Sequence, residues 1–352
     1  MDLQTFWFCL IAVLWSGYFV LEGFDFGVGM LLPFLPRDEG ERETMFETIG
    51  PVWDGNEVWL VVAAGATFAA FPGWYATMFS AFYLALLLIL VLLILRVVSF
   101  EWRGKSESPR WRKTWLWANA AGSAGIALLW GIALSNLLHG LPLDSDGNYT
   151  GNFWDLFSGY TVIGGIVFVL LFAFHGAAFL TLRTSGDLCA RASGASRRLA
   201  VPAAAVCAGY VAWTVAVAVD RNAKDVFPPV LPATIAIAAL LAAALLVFVG
   251  RSGAAFAASA IGTAGLVATL FTSLYPRVMV SSPDFGNSLT VSGTAAAHYS
   301  LAVLTVVAVI VTPVVLAYQG WSYYVFRARV TGSEPRSPLE VALNEPGRAP
   351  AR

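Results

Sequence analysis

The stretch from Tyr83 to Ser99, YLALLLILVLLILRVVS, contains one charged residue, Arg96, in a run that is otherwise almost entirely aliphatic. An α-helix rises about 1.5 Å per residue, so about 20 apolar residues cross the hydrocarbon core of a membrane. The stretch therefore predicts a transmembrane helix. The whole chain agrees, because 58% of its 352 residues are hydrophobic and only 12% are charged, whereas a soluble domain is about 25% charged.

Apolar runs of similar length recur along the chain and predict an all-α, polytopic integral membrane protein. We expect nine transmembrane helices, at about residues 5–35, 52–71, 74–100, 115–138, 157–183, 199–219, 230–250, 253–274 and 297–326. The segment after residue 330 is rich in Pro, Glu, Ser and Arg, a composition typical of disorder. We therefore expect one membrane domain over residues 1–330 and a disordered tail over residues 331–352.

Lysines and arginines predict the orientation, because short cytoplasmic loops carry an excess of these residues. Most of the 21 fall on one side of the nine-span topology, with a concentration in the loop at 101–114. Arg221, Lys224 and Arg277 fall on the other side. This bias predicts an N-terminus outside and a cytoplasmic C-terminus, so the predicted tail is cytoplasmic as well.

Two acidic motifs enter the apolar segments from the predicted cytoplasmic side. LEGFDFGVG, residues 21–29, carries Glu22 and Asp25, and GPVWDGNEVW, residues 50–59, carries Asp54 and Glu57. Residues three apart are neighbours on a helix, so each pair shares a face. Ionisable groups in membrane spans are costly and normally face a bundle interior or an aqueous path. With Arg96 near the end of the third span, the acids predict a proton route.

Other roles for these residues are open at the level of sequence. Asp54 also suits a first-turn acid that the helix dipole favours, and Arg96 suits a cation whose guanidinium reaches the membrane interface. Glu22 and Asp25 have no helix end nearby, which favours the proton route for them. A proton-coupled membrane transporter also fits carboxylates beside glycine-rich spans, and a purely scaffolding protein is a third interpretation.

The chain is poor in ligands for metals and haems. Its three cysteines, Cys9, Cys189 and Cys207, have no C-x-x-C spacing, and its three histidines are His139, His175 and His298. Membrane haems need axial His, Met or Cys ligands on facing helices. We therefore expect no metal site and no haem ligand in this chain. Neither does any motif indicate a nucleic-acid partner.

Several segments together resemble one family. They are LEGFDFGVGMLLPF, IGPVWDGNEVWL, FPGWYA, LRVVSFEWR and the late YPRVMVSSPDFGNSLTVSGTAAAHYSL. They are similar to subunit II of cytochrome bd-type quinol oxidases, and the resemblance extends to about residue 330. It implies two four-helix bundles plus one peripheral helix in the bacterial cytoplasmic (inner) membrane. It also implies a respiratory complex that oxidises ubiquinol or menaquinol and reduces O2 to water without pumping protons.

The resemblance also implies partners and residue roles. Haems b and d would belong to subunit I, a pseudo-symmetric partner, and none to this chain. Glu22, Asp25 and Asp54 would line a cytoplasmic proton-delivery path with Arg96 as charge partner, and Trp59 would lie on an oxygen path. Glu57 joins the proton path from its place in the second span. In some relatives a structural quinone binds subunit II, so the resemblance leaves open a bound quinone or lipid here, together with small single-span accessory subunits.

Overall fold

The computed structural model describes residues 2–222, 229–282 and 284–331, and the predicted tail beyond Thr331 lies outside these ranges. The described chain is mainly helical. Its helices are α1 (Leu3–Leu31), α2 (Glu39–Ile49), α3 (Trp53–Ala70), α4 (Pro72–Ala81), α5 (Tyr83–Trp102), α6 (Pro109–His139), α7 (Gly159–Arg183), α8 (Gly186–Asn222), α9 (Val230–Phe248), α10 (Ser252–Leu274), α11 (Val291–Thr294) and α12 (His298–Val325). Two short antiparallel strands, β1 (Arg277–Met279) and β2 (Leu289–Thr290), precede α11.

Eight helices in the described ranges are long and apolar enough to cross a membrane: α1, α5, α6, α7, α8, α9, α10 and α12. This confirms the prediction of an all-α, polytopic membrane protein. The predicted second span, α3, has 18 residues and is not among the eight. Its first two turns carry Asp54, Asn56 and Glu57, and these polar residues lower the mean hydropathy of a helix that is otherwise apolar.

Several helix boundaries differ from the prediction, among them the start of α6, which is at Pro109 rather than near residue 115. The predicted span at 74–100 is divided at Phe82 into α4 and α5, and α1 ends at Leu31 rather than near residue 35. The predicted loop before the sixth span is helical, because α8 begins at Gly186. Its sequence there, GDLCARASGASRR, contains several good helix formers. An apolar run marks only the part of a helix that lies in lipid. It therefore does not predict the first turns of α8, which extend into the aqueous phase.

Helix α1 lies at the centre of the fold and packs against α3, α6, α7 and α10. Its closest approach is to α7, where a Cβ added at Gly27 would lie 1.9 Å from the carbonyl oxygen of Phe172. A Cβ at Gly176 would in turn lie 2.4 Å from the carbonyl carbon of Gly27. Backbones can approach this closely only where both residues lack side chains. This contact holds the acid-bearing half of α1 in the protein interior.

Helix α12 packs much less closely than the others. Its buried residue, Leu301, lies near its N-terminal end. Trp7 of α1 attaches the same end to the bundle by donating its indole N–H to Thr305 Oγ1 at 3.0 Å. Many of its other side chains, among them Val309 and Val314, are exposed. The helix therefore lies along the outside of the bundle.

Charged contacts fix α2 across the ends of the longer helices. Asp38 caps it by accepting the backbone N–H of Glu41 at 2.9 Å. Glu39 forms ion pairs with Arg42 and with Arg103, which follows α5, and Glu41 pairs with Arg191 of α8. These contacts connect α2 to the same ends of α5 and α8, and the chain enters α3 from there.

Acid should loosen the start of α2. The backbone N–H of Arg37, donating to Glu41 at 2.6 Å, and the nearby Arg191 hold the pKa of Glu41 below its usual range. A carboxyl with a lowered folded-state pKa stabilises the fold above its unfolded pKa, and that contribution is lost as pH falls through the folded pKa. We expect amide hydrogen exchange in residues 38–45, corrected for intrinsic rates, to become faster between about pH 6 and about pH 3.

The variant Glu41→Gln is the control for this prediction, because it cannot be protonated further. Its exchange in the same segment should already be faster than wild type at neutral pH and should change less on acidification, where the ion pairs of Glu39 are still lost. Equal protection of wild type and variant at neutral pH would contradict the assigned role of Glu41.

Candidate functional site

The central part of α1 presents two acids to its neighbours. Glu22 and Asp25 are both 0% exposed, as is Arg96 of α5. Arg96 Nη1 donates to Glu22 Oε1 at 2.6 Å, and its guanidinium lies 4.9 Å from the centroid of the Phe26 ring. Removing two charges from water costs several kcal/mol per ion, so the pair depends on these contacts. Arg96 does not reach an interface, which excludes the interpretation of it as a snorkelling cation.

Asp25 is held by a residue that sequence reasoning missed. Asn56 of α3 is fully buried, and its Nδ2 donates to Asp25 Oδ2 at 2.7 Å and to the Leu21 carbonyl oxygen at 3.4 Å. A signal was present in the sequence. The buried positions of α3 are Asn56, Ala63, Thr67 and Ala70, which recur at the spacing of one helix face, and that face contains Asn56 rather than Asp54.

The other two predicted acids, Glu57 and Asp54, lie progressively nearer to the protein surface. Glu57 is half-buried and interacts electrostatically with Arg96 and with Asp54. Asp54 is exposed in the first turn of α3, and Glu101, at the end of α5, is exposed as well. The structure thus brings Glu22, Asp25 and Arg96 together, places Glu57 at the edge of the group and leaves Asp54 at the surface.

Polar side chains continue from Arg96 toward the end of the bundle that carries α2. Asn119 of α6 donates its Nδ2 to Ser99 Oγ at 2.8 Å and to the Arg96 carbonyl oxygen at 3.3 Å. Asn119 and Ser123 also face Gly29, where an added Cβ would lie 2.2 Å from Ser123 Oγ. The acid cluster therefore lies within a larger polar region shared by α1, α5 and α6.

His175 of α7 does not fit as a haem or metal ligand. It is fully buried, with Nδ1 2.7 Å from Ser259 Oγ and Nε2 3.1 Å from the Val20 carbonyl oxygen. Its ring stacks on Phe256 with centroids 4.6 Å apart. Both ring nitrogens are thus engaged by the protein itself. In residues 2–222, 229–282 and 284–331, no three His, Cys, Asp or Glu side chains form a group that could hold a metal ion.

Trp59 lies about one and a half turns of α3 beyond the exposed Asp54. It is half-buried, and its indole covers Gly17 of α1, where an added Cβ would lie 2.5 Å from the ring. Next to it is an apolar cavity of about 570 Å³ that is open to the outside of the bundle. Its lining comes mainly from α3, α4 and α5, with Leu60 among these residues, and it also includes Trp15 and Trp130. Such a cavity takes up apolar molecules without desolvating polar groups.

Comparison with known proteins gives matches along nearly the whole chain. The family model described as cytochrome bd terminal oxidase subunit II matches residues 3–326, a range that begins with α1 and ends just after α12. The cytochrome bd ubiquinol oxidase subunit 2 of Bacillus subtilis (strain 168) is 42% identical over 339 residues, which cover 95% of this chain and 98% of the relative.

Two further relatives show the same coverage. The cytochrome bd-I ubiquinol oxidase subunit 2 of Escherichia coli (strain K12) is 34% identical over 362 residues, covering 94% of this chain and 95% of the relative. The probable cytochrome oxidase subunit 2 of Haemophilus influenzae is 36% identical over 353 residues, covering 91% and 93%. The cluster of Glu22, Asp25 and Arg96 lies within residues 3–326, which the family model matches.

Proposed function

Because the chain belongs to the cytochrome bd terminal oxidase subunit II family, we propose that it delivers protons within a complex that oxidises a membrane quinol and reduces O2 to water. Family membership implies a partner, subunit I, and haems b and d in the complex, and it does not favour the transporter interpretation. We assign the haems to the partner, since His175 is fully engaged by Ser259 and Val20. No step of the proposal requires a haem ligand from this chain.

The proposed topology has nine spans, with the N-terminus outside and the C-terminus cytoplasmic in the bacterial cytoplasmic membrane. Helix α3, the second span in chain order, would bring the eight spans to nine. Its 18 residues reach about 27 Å at ~1.5 Å per residue. In the first half of the chain α1 packs on α3 and on α6, and α6 packs on α5; in the second half α7 to α10 pack successively on one another. This grouping supports two four-helix bundles, with α12 as the peripheral helix.

Charge balance supports a transferable proton in the cluster. One guanidinium, that of Arg96, faces two fully buried acids, Glu22 and Asp25. With both acids ionised the group would carry a net negative charge away from water, where an uncompensated charge is strongly unfavourable. The cluster is electrically balanced when one of the acids holds a proton. Arg96 would keep the other acid ionised and ready to accept the next proton.

The observation that carries the proposal is the gradient of burial along the acids. Asp54 is exposed, Glu57 is half-buried, and Glu22 and Asp25 are fully buried. A proton bound by Asp54 at the start of α3 would pass to Glu57 one turn further on and then to the buried pair. At each transfer a protonated carboxyl donates and a carboxylate accepts. Taking the protons of water formation from the cytoplasm would separate charge across the membrane without pumping.

Apolar substrates would use a different part of the subunit. We place an oxygen path at Trp59 and the neighbouring cavity, since O2 dissolves in the lipid and the walls of the cavity are apolar. The same walls suit the isoprenoid or acyl chain of a bound structural quinone or lipid. This bound molecule and the small single-span accessory subunits are possibilities that come from the family resemblance alone.

The substitution Asp54→Asn tests the relay at its exposed end. We expect turnover of the purified complex to fall by about tenfold or more, because a positioned proton-transfer group contributes at least that much to a rate. Haem content and the yield of the complex should stay at the wild-type level, because Asp54 is exposed and its replacement leaves the buried contacts intact. Oxygen consumption with excess quinol and the visible spectrum are the two measurements.

Glu47→Gln is the matched control, since Glu47 is an exposed acid near the end of α2 and has no place in the relay. It should retain wild-type turnover. Full activity in Asp54→Asn would remove Asp54 from the path. Loss of haem together with activity would indicate a role in assembly instead.

A further inference from the structure

The amide of Asn56 connects three helices. Its Nδ2 group donates to Asp25 and to the Leu21 carbonyl of α1, as described above. On its other side, Oδ1 accepts from Tyr323 Oη at 2.6 Å and from Gln319 Nε2 at 3.2 Å, both on α12. A primary amide has two N–H donors and a carbonyl oxygen with two lone pairs. All four are used here, in a side chain that is fully buried.

These partners fix which way the amide points. The Leu21 carbonyl can only accept, so the nitrogen of Asn56 must face α1, where it also meets the Asp25 carboxyl. The hydroxyl of Tyr323 then donates to Oδ1. A flipped amide would bring Oδ1 against a carbonyl and a carboxyl oxygen, and a buried acceptor without a donor is unfavourable. Tyr323 and Gln319 stabilise the unflipped orientation.

We infer that Asn56 is a positioning residue for Asp25, kept in orientation by Tyr323 and Gln319 of α12. The inference rests on the proposed function, in which Asp25 passes a proton. Asn56 holds Asp25 Oδ2 with a fixed donor, so the carboxyl exchanges its proton at Oδ1. An amide does not take up and release protons as a carboxyl does, so Tyr323 and Gln319 lie off the proton path and act through Asn56 alone.

The role of α12 follows from how few contacts its own residues make with the bundle; just beyond its end, Arg329 Nη1 also donates to the Thr184 carbonyl oxygen at 2.6 Å. Its buried residue, Leu301, lies near its start. Gln319 and Tyr323 lie about two and about three turns beyond its midpoint, and both are half-buried. The hydrogen bonds to Asn56 attach this later part of α12 to the bundle. The position of α12 is thereby coupled to the hydrogen bonding of Asp25.

Two substitutions test the inference in the assembled complex. Tyr323→Phe removes one hydroxyl and keeps the aromatic ring, and it should lower turnover by about fivefold, the effect of one net hydrogen bond. Asn56→Leu removes the whole network and should lower turnover by about twentyfold or more. The KM for quinol and the haem content should be unchanged in both. Tyr324→Phe is the matched control, because Tyr324 is the next residue and is 63% exposed.

Infrared spectroscopy separates positioning from general structural support. In the redox-difference spectrum of the complex, the carboxyl C=O band that disappears in Asp25→Asn belongs to Asp25. This band should move in frequency in Tyr323→Phe, because the hydrogen bonding of the carboxyl is altered. It should stay in place in Tyr324→Phe. A change of stability alone does not move this band.

The outcomes distinguish this inference from the proposed function. If Asp25→Asn is inactive while Asn56→Leu and Tyr323→Phe keep wild-type turnover and an unshifted band, the inference is overturned and the proposed function stands. If Asp25→Asn is fully active, the proposed function is overturned, and a band shift in Tyr323→Phe still decides whether Asn56 positions Asp25. Should Asn56→Leu fail to assemble, Tyr323→Phe decides alone.

Discussion

Replacing Asp25 with Asn should lower the oxygen-reducing turnover of the assembled complex by about a hundredfold or more, the contribution expected of a proton-transfer group. The substitution is nearly isosteric, and an asparagine oxygen at this position can still accept the N–H of Asn56 that Asp25 Oδ2 accepts at 2.7 Å. The pair of Glu22 and Arg96 keeps its contact. What the variant loses is a group that can bind and release a proton. Oxygen consumption with excess quinol measures the loss.

The control for this prediction is Glu101→Gln, because Glu101 is an exposed acid on α5, shortly after Arg96. Its turnover should stay within about twofold of wild type, as surface substitutions away from a site usually have small effects. Haem content and the ratio of the two subunits should be normal in both proteins. An Asp25→Asn complex with about half of the wild-type activity or more would contradict the relay, since bypass of a true member is slow.

Adding a single methyl group at Gly27 should destabilise the whole subunit. In Gly27→Ala the new Cβ would lie 1.9 Å from the carbonyl oxygen of Phe172 and 2.8 Å from Gly176 Cα. These are backbone atoms of α7, which cannot rotate aside as the end of a side chain can, so α1 must move away with its acids. Overpacking of this kind costs about 3 kcal/mol or more. We expect the thermal midpoint in detergent to fall by at least about 5 °C.

Two further glycines make this experiment specific. Gly176→Ala introduces the reciprocal clash, at 2.4 Å from the Gly27 carbonyl carbon, and should have the same effect. Gly209→Ala on α8 has no atom within 4 Å of the added Cβ and should leave the midpoint unchanged or raise it slightly, because alanine favours a helix. If the thermal midpoint of Gly27→Ala equals that of the wild type, α1 and α7 do not pack as described.

The membrane class and most helix positions could be predicted from sequence because apolar run length is a local property. Helix α2 and the first turns of α8 could not, since they lie at the aqueous edge and their residues form no apolar run. The break at Phe82 was also missed. The sequence across it, SAFYLALL, is continuously apolar and gives no helix-ending signal.

The site was predictable in part. Topology alone placed Glu22, Asp25 and Arg96 at a similar depth on two spans, and the structure brings these three side chains together. The charge of Asp54 predicted it as a site residue, whereas the structure leaves Asp54 exposed and buries Asn56, two residues further along α3. Sequence reasoning could not pair Asn56 with Tyr323, because their contact depends on how the late helix α12 lies against α3.

The central claim is that the buried acids of this subunit pass protons toward oxygen reduction. The most direct test is single-turnover proton uptake, in which the fully reduced complex in liposomes is mixed with O2 and a pH-sensitive dye reports on the face that carries α2. We predict that wild type takes up protons from that face, and that Asp25→Asn slows this uptake while O2 binds at the wild-type rate. Proton uptake by Asp25→Asn at the wild-type rate would contradict the claim.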